Sequence, residues 1–425
     1  MDTREVCGRR YLPRVVDEQL ARCLSFAGAV VIEGVRASGK TMTALQAAGS
    51  VRLVDSPAVQ ELLDIAPEAV LEGDLPVLLD EWQLAPETWN MVRRAVDFSD
   101  SPGRFILTGS AVPADDVVRH TGAGRFLRLR QRTMTWFEKG CATGEPVSLA
   151  ALFDGHAPSA NLAERPSLDD VIENLLRPGF PGLIDTKLNN AAEWMRGFID
   201  EVSRVDVFRL ADIRCQPNVI RHLISALSRN VAAEVTYRAL AADLAPVAPG
   251  IDERTVSNYV ALLQRLFIVE LQHSWSPRLR SRATVRRSPK FHLVDASLAA
   301  AAIGANQDRL RSDIHTLGFL FESAVIHDLT VFAAALGGEV RHYRDSYKRE
   351  IDAVIMLPDG RWGAVEVKLG GKRAYDAIRS LSEALTHIDT EYVGKPTFRL
   401  VVTGNGHAFT AADGTITAPL SALAP

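Results

Sequence analysis

The stretch GVRASGKT, residues 34–41, decides how the N-terminal part of the chain is interpreted. It fits the pattern G-x-x-x-x-G-K-[ST], it follows the apolar run AVVIEG, and it opens a stretch with helical character. In this setting the glycines let the backbone wrap a phosphate chain, and amides of the loop and of the helix N-terminus point at the anion. The sequence therefore predicts a nucleotide phosphate site. A glycine-rich turn before a helix is the alternative.

The expected contacts to the nucleotide come from the loop and from one residue beyond it. Lys40 would place its charge against the β- and γ-phosphates, and the Thr41 hydroxyl would bind Mg²⁺. The predicted nucleotide-binding residues are Gly34, Val35, Arg36, Ala37, Ser38, Gly39, Lys40, Thr41 and Thr108.

An acidic pair follows further along the chain, in PVLLDEWQ at residues 76–83. Asp80 would hold Mg²⁺ through water, and Glu81 would polarise the attacking water. The apolar run FILTGSA ends in small polar residues, and either Thr108 or Ser110 would lie beside the γ-phosphate. An ordinary helix N-cap is an equally good interpretation of these two residues.

The surrounding pattern predicts an α/β fold with a parallel sheet. Short continuous apolar runs at residues 29–34, 51–55, 75–81 and 104–110 are typical of strands buried on both faces, and helical stretches lie between them. The predicted regions are a P-loop domain, a mainly helical connector, a winged helix-turn-helix with a basic segment and a second α/β domain, over residues 1–145, 146–225, 226–305 and 308–425.

The stretches GVRASGKT, LLDEWQ, ILTGS and TGAGRFLRLRQRTMTWFE, in that order, resemble the bacterial and archaeal AAA-type ATPases with a DUF4143 C-terminal region. The resemblance covers nearly the whole chain and implies an AAA/RecA-like domain that hydrolyses ATP with Mg²⁺. RPGFPG, residues 177–182, replaces the family's more usual Gly-Gly-aromatic-Pro.

The same resemblance assigns a Gly-Arg motif to Gly124-Arg125. Arg125 would act as a finger in trans, which implies a homo-oligomer. Arg119, Arg128 and Arg130 are competitors for this role, and a structural salt bridge is an alternative for each.

The stretch DERTVSNYVALLQRLFIVEL, residues 252–271, predicts the second helix of the winged helix-turn-helix, capped by Asp252. Its apolar positions fall on one face, and Thr255 and Ser257 lie on the other, where a recognition helix reads bases. No acid occurs between Glu270 and Asp295, and this gap holds the densest basic run. The predicted DNA contacts are Arg254, Asn258, Arg278, Arg280, Arg282, Arg286 and Arg287.

Two alternatives remain for this region. A winged helix is also a protein-interaction module, and an arginine-rich loop can pair with acidic neighbours or with a partner subunit. The following stretch KFHLVDASLAAAAIG, residues 290–304, matches the family's lysine-apolar-Asp-small pattern and is interpreted as structural.

The C-terminal region carries charged residues in a fixed order. Glu322 belongs to a predicted amphipathic helix, Asp352 to a strand, and Glu366 and Lys368 to the same face of the next strand, after the hairpin turn LPDG at 357–360. This order resembles the PD-(D/E)xK nuclease superfamily and its restriction-endonuclease-like fold.

The resemblance implies that Asp352 and Glu366 bind Mg²⁺, that Lys368 orients water and that Glu322 completes the shell. Two alternatives are a retained fold without activity and a plain cross-strand ion pair. Across the chain, the candidate catalytic residues are Glu81, Arg125, Glu322, Asp352, Glu366 and Lys368.

Bulk properties limit the partners and the compartment. The net charge of −4 over 425 residues excludes a global polycation, so any DNA contact needs a local patch. The four cysteines are scattered without CxxC spacing, which indicates free thiols in a reducing compartment. Neither a signal peptide nor a long uncharged apolar run is evident.

We therefore expect a cytoplasmic ATPase that contacts DNA and no membrane, with a protein partner as a further option. The alternative is a nucleotide-dependent switch with an inactive nuclease-like tail.

Overall fold

The computed structural model describes residues 11–111, 123–142, 145–158, 165–211, 215–277, 288–347, 349–371 and 374–425. The N-terminal region is a parallel sheet flanked by helices. Its strands are β1 (Ala29–Glu33), β2 (Ser50–Leu53), β3 (Val77–Asp80), β4 (Phe105–Gly109) and β5 (Phe126–Arg130). Its helices are α1 (Val16–Leu24), α2 (Lys40–Ala47), α3 (Pro57–Ile65) and α4 (Glu87–Asp97).

The strand order is β2–β3–β4–β1–β5, and all neighbours are parallel. Alternate residues of β1 face opposite layers: Val31 packs with Trp89 of α4, and Val30 and Ile32 pack with Leu20 of α1. The predicted α/β class and its parallel sheet are confirmed. Strand β4 separates β1 from β3, so the carboxyl ends of all three meet at the edge that carries the loop 34–41.

The middle of the chain is mainly helical, as predicted. Its helices are α5 (Leu149–Phe153), α6 (Leu168–Leu176), α7 (Leu188–Glu201), α8 (Val207–Leu210), α9 (Pro217–Arg229), α10 (Tyr237–Leu244), α11 (Glu253–Arg265), α12 (Ala296–Ala302) and α13 (Gln307–Ser312). Its strands are β6 (Val147–Ser148), β7 (Ala233–Glu234), β8 (Val269–Gln272) and β9 (Lys290–Leu293). Strands β7, β9 and β8 form one antiparallel sheet, with β9 in the centre.

Helices α10 and α11 are joined by a turn and precede β8. The Asp252 side chain accepts a hydrogen bond from the Thr255 amide at 2.7 Å, which confirms the predicted cap of α11. The apolar face predicted from Val256, Val260 and Leu263 is buried.

The C-terminal region is a second α/β unit. It contains α14 (Ile314–Ala335), β10 (Glu339–Arg344), β11 (Glu350–Met356), β12 (Trp362–Lys368), α15 (Ala374–Thr386), α16 (Thr390–Val393), β13 (Phe398–Thr403), β14 (Phe409–Thr410), β15 (Ile416–Pro419) and β16 (Leu423–Ala424). The sheet order is β10–β11–β12–β13–β15–β14, antiparallel from β10 to β12 and parallel from β12 through β13 to β15. The predicted hairpin joins β11 to β12, with Ala353 opposite Val365.

Helix α14 differs from the amphipathic helix predicted around Glu322. It is apolar on most sides and is packed inside the C-terminal unit, with Leu320, Phe321 and Val325 buried on neighbouring faces. Among the described residues it is the one helix that is long and apolar enough to cross a membrane, and 61% of its most apolar part is buried in the protein. Its composition is therefore that of a core helix.

Candidate nucleotide site and C-terminal carboxylate site

The loop 34–41 has the backbone that a phosphate site requires. Ala37 and Gly39 take left-handed φ angles of 63° and 93°, and α2 begins at Lys40. A Cβ at Gly34 would lie 2.0 Å from the Gln131 carbonyl oxygen, so only glycine lets these two segments approach.

Residues far from the loop in sequence hold it in this shape. Arg14 donates to the Ser38 carbonyl at 2.9 Å, and the Gln131 side chain donates to the same oxygen at 3.1 Å. Arg14 also pairs with Glu138 at 3.0 Å. Sequence reasoning missed these supports, because neither Arg14 nor Gln131 belongs to a recognisable motif.

Lys40 is buried at the start of α2, with 4% of its surface exposed. Its ammonium donates to the Val35 carbonyl at 2.9 Å. Burial lowers the pKa of Lys40 to about 8, although the charges of Glu81 and Asp80 oppose this shift. The lysine is therefore a poorly solvated cation at the loop, which a phosphate would stabilise.

Asp80 lies at the end of β3 and faces the first turn of α2. The Thr41 hydroxyl donates to Asp80 Oδ1 at 2.8 Å, and the Thr108 hydroxyl donates to the same atom at 2.5 Å. Burial raises the pKa of Asp80. A hydroxyl and a carboxylate in contact are hard oxygen donors that suit Mg²⁺, so Thr41 and Asp80 would hold the ion that neutralises phosphate charge.

Thr108 contacts both acids, and its place beside the γ-phosphate stays a prediction. It has no exposed surface, and its hydroxyl is committed to Asp80 Oδ1 and to the Glu81 amide at 3.0 Å. The reason is the place of β4 between β1 and β3, which puts Thr108 behind the two acids. The hydrogen bonds of Thr108 help to position Asp80 and Glu81.

Glu81 follows β3 in a left-handed conformation, with φ of 57°. Its carboxylate accepts hydrogen bonds from Ser110 at 3.0 Å and from the Gln83 side chain. A non-glycine residue in this conformation is uncommon and is found where the surrounding structure fixes a functional side chain. Glu81 lines the same cavity as Lys40 and Thr41.

That cavity, of about 440 Å³, extends from the loop to an aromatic wall. Phe180 and Pro181 of the RPGFPG stretch and Trp194 of α7 line it opposite the loop. The rings of Phe180 and Trp194 lie 5.5 Å apart. Sequence reasoning identified RPGFPG as a Gly/Pro break in a helical region and as a variant of a family motif, but gave it no role at the nucleotide site. The structure puts it over the phosphate loop.

The candidate finger Arg125 lies away from the loop of its own chain. It precedes β5, at the opposite end of the sheet, and pairs with Asp97 at 2.7 Å. Two of its competitors are in salt bridges, Arg128 with Glu33 and Arg130 with Glu270. Arg119 lies outside the described residues.

The acids predicted in the C-terminal region come together with two lysines. Lys368 pairs with Glu366 Oε1 at 2.8 Å, as expected for two residues on one strand face. Asp352 Oδ2 accepts the Val367 amide at 2.8 Å, which fixes it beside the same strand.

Glu322 joins these acids through Lys290, which ends the predicted basic run and opens the stretch 290–304 that sequence reasoning had interpreted as structural. The Lys290 ammonium lies 2.7 Å from Glu322 Oε1 and 3.7 Å from Asp352 Oδ1. No motif signalled this contact, because Lys290 belongs to the middle region and the acids belong to the C-terminal unit.

Burial controls the charge of this cluster. Burial first, and then the charge of Asp352, raise the pKa of Glu322 to about 7 and that of Glu366 to about 8, against the opposing lysines. The pKa of Lys290 is raised, because Glu322 and Asp352 outweigh its desolvation.

The cluster adjoins a cavity of about 710 Å³, whose lining includes Glu322, Lys368 and Gly370. Among the described residues, no group of three or more His, Cys, Asp or Glu side chains is arranged to hold a metal ion. Glu366 Oε2, however, is buried and has no hydrogen-bond partner in the part of the chain that the structure describes. An orphaned carboxylate oxygen beside Asp352 fits a cation held by these two acids.

The predicted DNA-binding residues are only partly described. Arg254 and Asn258 are exposed at the start of α11. The other residues predicted to contact DNA lie outside the described residues: Arg278, Arg280, Arg282, Arg286 and Arg287.

Together, the parallel sheet, the left-handed loop before α2 and the Thr41–Asp80 contact define a P-loop protein of ATPase type. Comparison with known families agrees. An AAA domain matches residues 27–138, a domain of unknown function (DUF8612) matches 168–309, and another (DUF4143) matches 317–423. The chain therefore contains an AAA domain and a C-terminal DUF4143 domain, which confirms the resemblance predicted from the sequence motifs.

Similar individual proteins are distant. The uncharacterized proteins Rv2008c of Mycobacterium tuberculosis and Mb2031c of Mycobacterium bovis are each 24% identical over 366 residues, or 82% of this chain and 72% of theirs. A Walker-type ATPase of Pyrococcus abyssi is 14% identical, with a TM-score of 0.42, over 69% of this chain and 96% of its own. A STAND protein with a tetratricopeptide repeat sensor from Pyrococcus horikoshii is 13% identical, with a TM-score of 0.21, over 76% of this chain and 48% of its own.

Proposed function

We propose that this protein binds ATP with Mg²⁺ at the loop 34–41 and hydrolyses it in the cytoplasm. The observation that carries the proposal is the contact between Thr41 and Asp80 at 2.8 Å, beside the buried Lys40. When bound, Mg²⁺ would neutralise charge on the phosphates. Lys40 would hold the β- and γ-phosphates, and Glu81 would orient and polarise the attacking water.

The test is ATP turnover and ATP binding in matched variants. Lys40→Ala is expected to abolish turnover, and normal turnover would rule out the loop as the site. Glu81→Gln is expected to bind ATP and to hydrolyse it about 100-fold or more slowly, because it keeps the shape and loses the charge. Hydrolysis at the wild-type rate would remove Glu81 from the mechanism.

Oligomerisation belongs to the same proposal. Arg125 is exposed at the end of the sheet remote from its own loop, so it can serve only the site of another copy. Arg125→Ala is expected to lower turnover without changing ATP affinity. A parallel loss of affinity would reassign Arg125 to its salt bridge with Asp97.

A second part of the proposal concerns DNA. The exposed Arg254 and Asn258 on α11, and the basic segment with Arg278, Arg280, Arg282, Arg286 and Arg287, would contact phosphates and bases in a winged-helix manner. Binding that falls steeply with salt, and that is lost when these arginines are neutralised, is the expected result. Unchanged DNA binding would favour a protein-interaction role for this surface.

The C-terminal unit is the candidate nuclease of the PD-(D/E)xK type. Asp352 and Glu366 would hold Mg²⁺ against a scissile phosphate, Glu322 would complete the surrounding shell, and Lys368 would orient water. The supporting observations are that Glu322 and Lys368 line one cavity, that Lys368 pairs with Glu366, and that Asp352 accepts the amide of Val367, which lies between Glu366 and Lys368.

Cleavage of duplex and single-stranded DNA with Mg²⁺ or Mn²⁺, with and without ATP, tests this part. Activity that disappears in the combined Asp352→Ala/Glu366→Ala variant is the expected result. A protein that hydrolyses ATP and binds DNA but cuts no substrate would instead be a nucleotide-dependent switch with an inactive tail.

A further inference from the structure

Lys290 reaches from the middle region into the carboxylate site of the C-terminal unit. Its ammonium contacts Glu322 Oε1 at 2.7 Å and lies 3.7 Å from Asp352 Oδ1, and only 7% of the residue is exposed. It therefore stands between two of the acids, in the manner of a bridging cation.

The backbone of Lys290 is fixed in this place. It opens β9, the central strand of a three-stranded sheet, where it pairs with Gln272 on one side and Glu234 on the other. The strand pairing on both sides fixes the Lys290 backbone, and the contacts with Glu322 and Asp352 hold its ammonium. Lys290 is therefore a fixed component of the carboxylate site.

The cluster of acids and lysines has one more negative than positive charge. Glu322, Asp352 and Glu366 contribute three potential negative charges, and Lys290 and Lys368 contribute two positive charges. One negative charge is left in a buried cluster, where an unpaired charge is costly. A proton or one further cation must supply the balance.

The available oxygens show where that cation would bind. Glu322 Oε1 is taken by Lys290, and Glu366 Oε1 is taken by Lys368. Glu366 Oε2 is buried and has no partner among the described residues. With Asp352 beside it, the carboxylates of Asp352 and Glu366 suit a divalent ion that keeps several waters, with Glu322 in the surrounding shell.

We propose that Lys290 is a positioning residue that holds the place of a second cation, so that the carboxylate site takes a single divalent ion between Asp352 and Glu366. The inference rests on the proposed function, in which this unit binds Mg²⁺. It adds the number of ions, and it makes the site a joint product of the middle region and the C-terminal unit.

A Mn²⁺ titration of the full chain tests the inference, with free Mn²⁺ followed by electron paramagnetic resonance and heats by calorimetry. The parent would carry Asp80→Ala, which removes the metal site beside the loop 34–41. One Mn²⁺ per chain is expected, and it should be lost in Asp352→Ala/Glu366→Ala. Two ions in the parent would overturn the inference without any Lys290 variant.

The decisive variant is Lys290→Gln in the same parent, with Lys290→Arg as the charge-preserving control and thermal unfolding as the check on folding. Either a second ion or at least tenfold tighter binding of the first is expected in Lys290→Gln, and neither in Lys290→Arg. A single ion that binds Lys290→Gln less than tenfold more tightly would contradict the inference.

Failure of the inference and failure of the proposed function are distinguishable. No bound Mn²⁺ in a folded parent would sink both the metal site of the C-terminal unit and the role of Lys290. One bound ion in the parent, with no DNA cleavage by the wild type in the presence or absence of ATP, would sink the nuclease proposal alone. One bound ion with no response to Lys290→Gln would sink only the inference.

Discussion

At the scale of single residues, Lys40 shows how burial prepares a charge for a ligand. Its ammonium donates to the Val35 carbonyl, and burial lowers its pKa to about 8. Phosphate oxygens would replace weak solvation by strong charge-assisted hydrogen bonds and would raise this pKa again. Binding of ATP and binding of a proton to Lys40 are therefore coupled.

We predict that ATP affinity falls as the pH rises from 7 to 9. Below pH 8 the free protein already carries the Lys40 proton, whereas above pH 8 it must take one up on binding. The limiting loss is about tenfold per pH unit above pH 8. Calorimetry at pH 7, 8 and 9, in buffers of different ionisation heat, would measure both affinity and proton uptake.

Lys40→Arg is the matched control for this prediction. Its guanidinium stays charged over the whole range, so any affinity that it retains should be flat with pH. A wild-type affinity that is equally flat, without proton uptake, would contradict the coupling.

The residues found from sequence share one property: each belongs to a local pattern. The loop 34–41 and the acids Asp80 and Glu81 were predictable because they follow apolar runs that form parallel strands. Arg14 and Lys290 were not, because their partners lie on distant segments and single cations carry no local signature. The contacts of Thr108 with Asp80 and Glu81 were not predicted, since the sequence does not reveal that β4 lies next to β3.

At the scale of elements, α7 and the stretch before it complete the nucleotide cavity. Trp194 of α7 is 39% exposed beside the loop, and its ring stacks on Phe198 at 5.4 Å, with Phe180 in contact with both rings. An exposed aromatic face held by two buried rings is a platform for a flat ligand group. When the phosphates of ATP bind at Lys40, the adenine base is the flat group that would stack on Trp194.

We predict that Trp194→Ala weakens ATP binding about tenfold, because it removes the stacking partner of the base. Trp194→Phe should lose much less, since a ring remains. Titration with a fluorescent ATP analogue would give both affinities, and inorganic triphosphate, which has no base, should bind all variants equally. Equal ATP affinity in Trp194→Ala would place the base elsewhere.

Elements with a regular apolar pattern were easier to predict than those at edges or deep in the core. Strand β5 was missed because its sequence FLRLR alternates arginine with apolar residues at the sheet edge. Helix α14 was recognised but was given one exposed face, although the C-terminal sheet and its neighbouring helices enclose most of it. Whether other elements surround a helix depends on the tertiary structure, and the sequence pattern of that helix alone does not show it.

At the scale of the whole molecule, polar contacts run from the phosphate loop to the carboxylate site. Arg14 holds the Ser38 carbonyl and also donates to the Arg132 carbonyl at 2.8 Å. The Arg132 side chain binds Glu270 of β8 at 2.9 Å. Two residues further along β8, Gln272 donates to the Asp352 carbonyl at 2.8 Å.

Glu270 is the central charge of this path. Burial alone would raise the pKa of Glu270, but the charges of Arg132 and Arg130 outweigh it and hold that pKa far below its ordinary value. The salt bridges of the Glu270 carboxylate thus connect β5 and the segment after it to β8. A shift of the loop on ATP binding would be passed to the strand that positions Asp352.

We predict that Glu270→Gln uncouples the two sites without removing either. In the wild type, a non-hydrolysable ATP analogue should slow amide exchange in β8, β9 and β11 as well as near the loop, measured by hydrogen–deuterium exchange. In Glu270→Gln, slowing should be confined to the N-terminal region, because Arg130 and Arg132 lose their shared anion. The variant should also unfold more readily, by about 2 kcal/mol, since two partly buried arginines are left without a counter-charge.

Glu339→Gln provides the comparison for that experiment. Glu339 pairs with Arg341 at 2.9 Å at the same junction, but it is exposed and lies off the path. Its loss should leave both stability and the reach of the ATP effect unchanged, as is usual for surface pairs. If the ATP effect reaches β11 equally in both variants, Glu270 does not couple the sites, and if it never reaches β11 in the wild type, the two sites act independently.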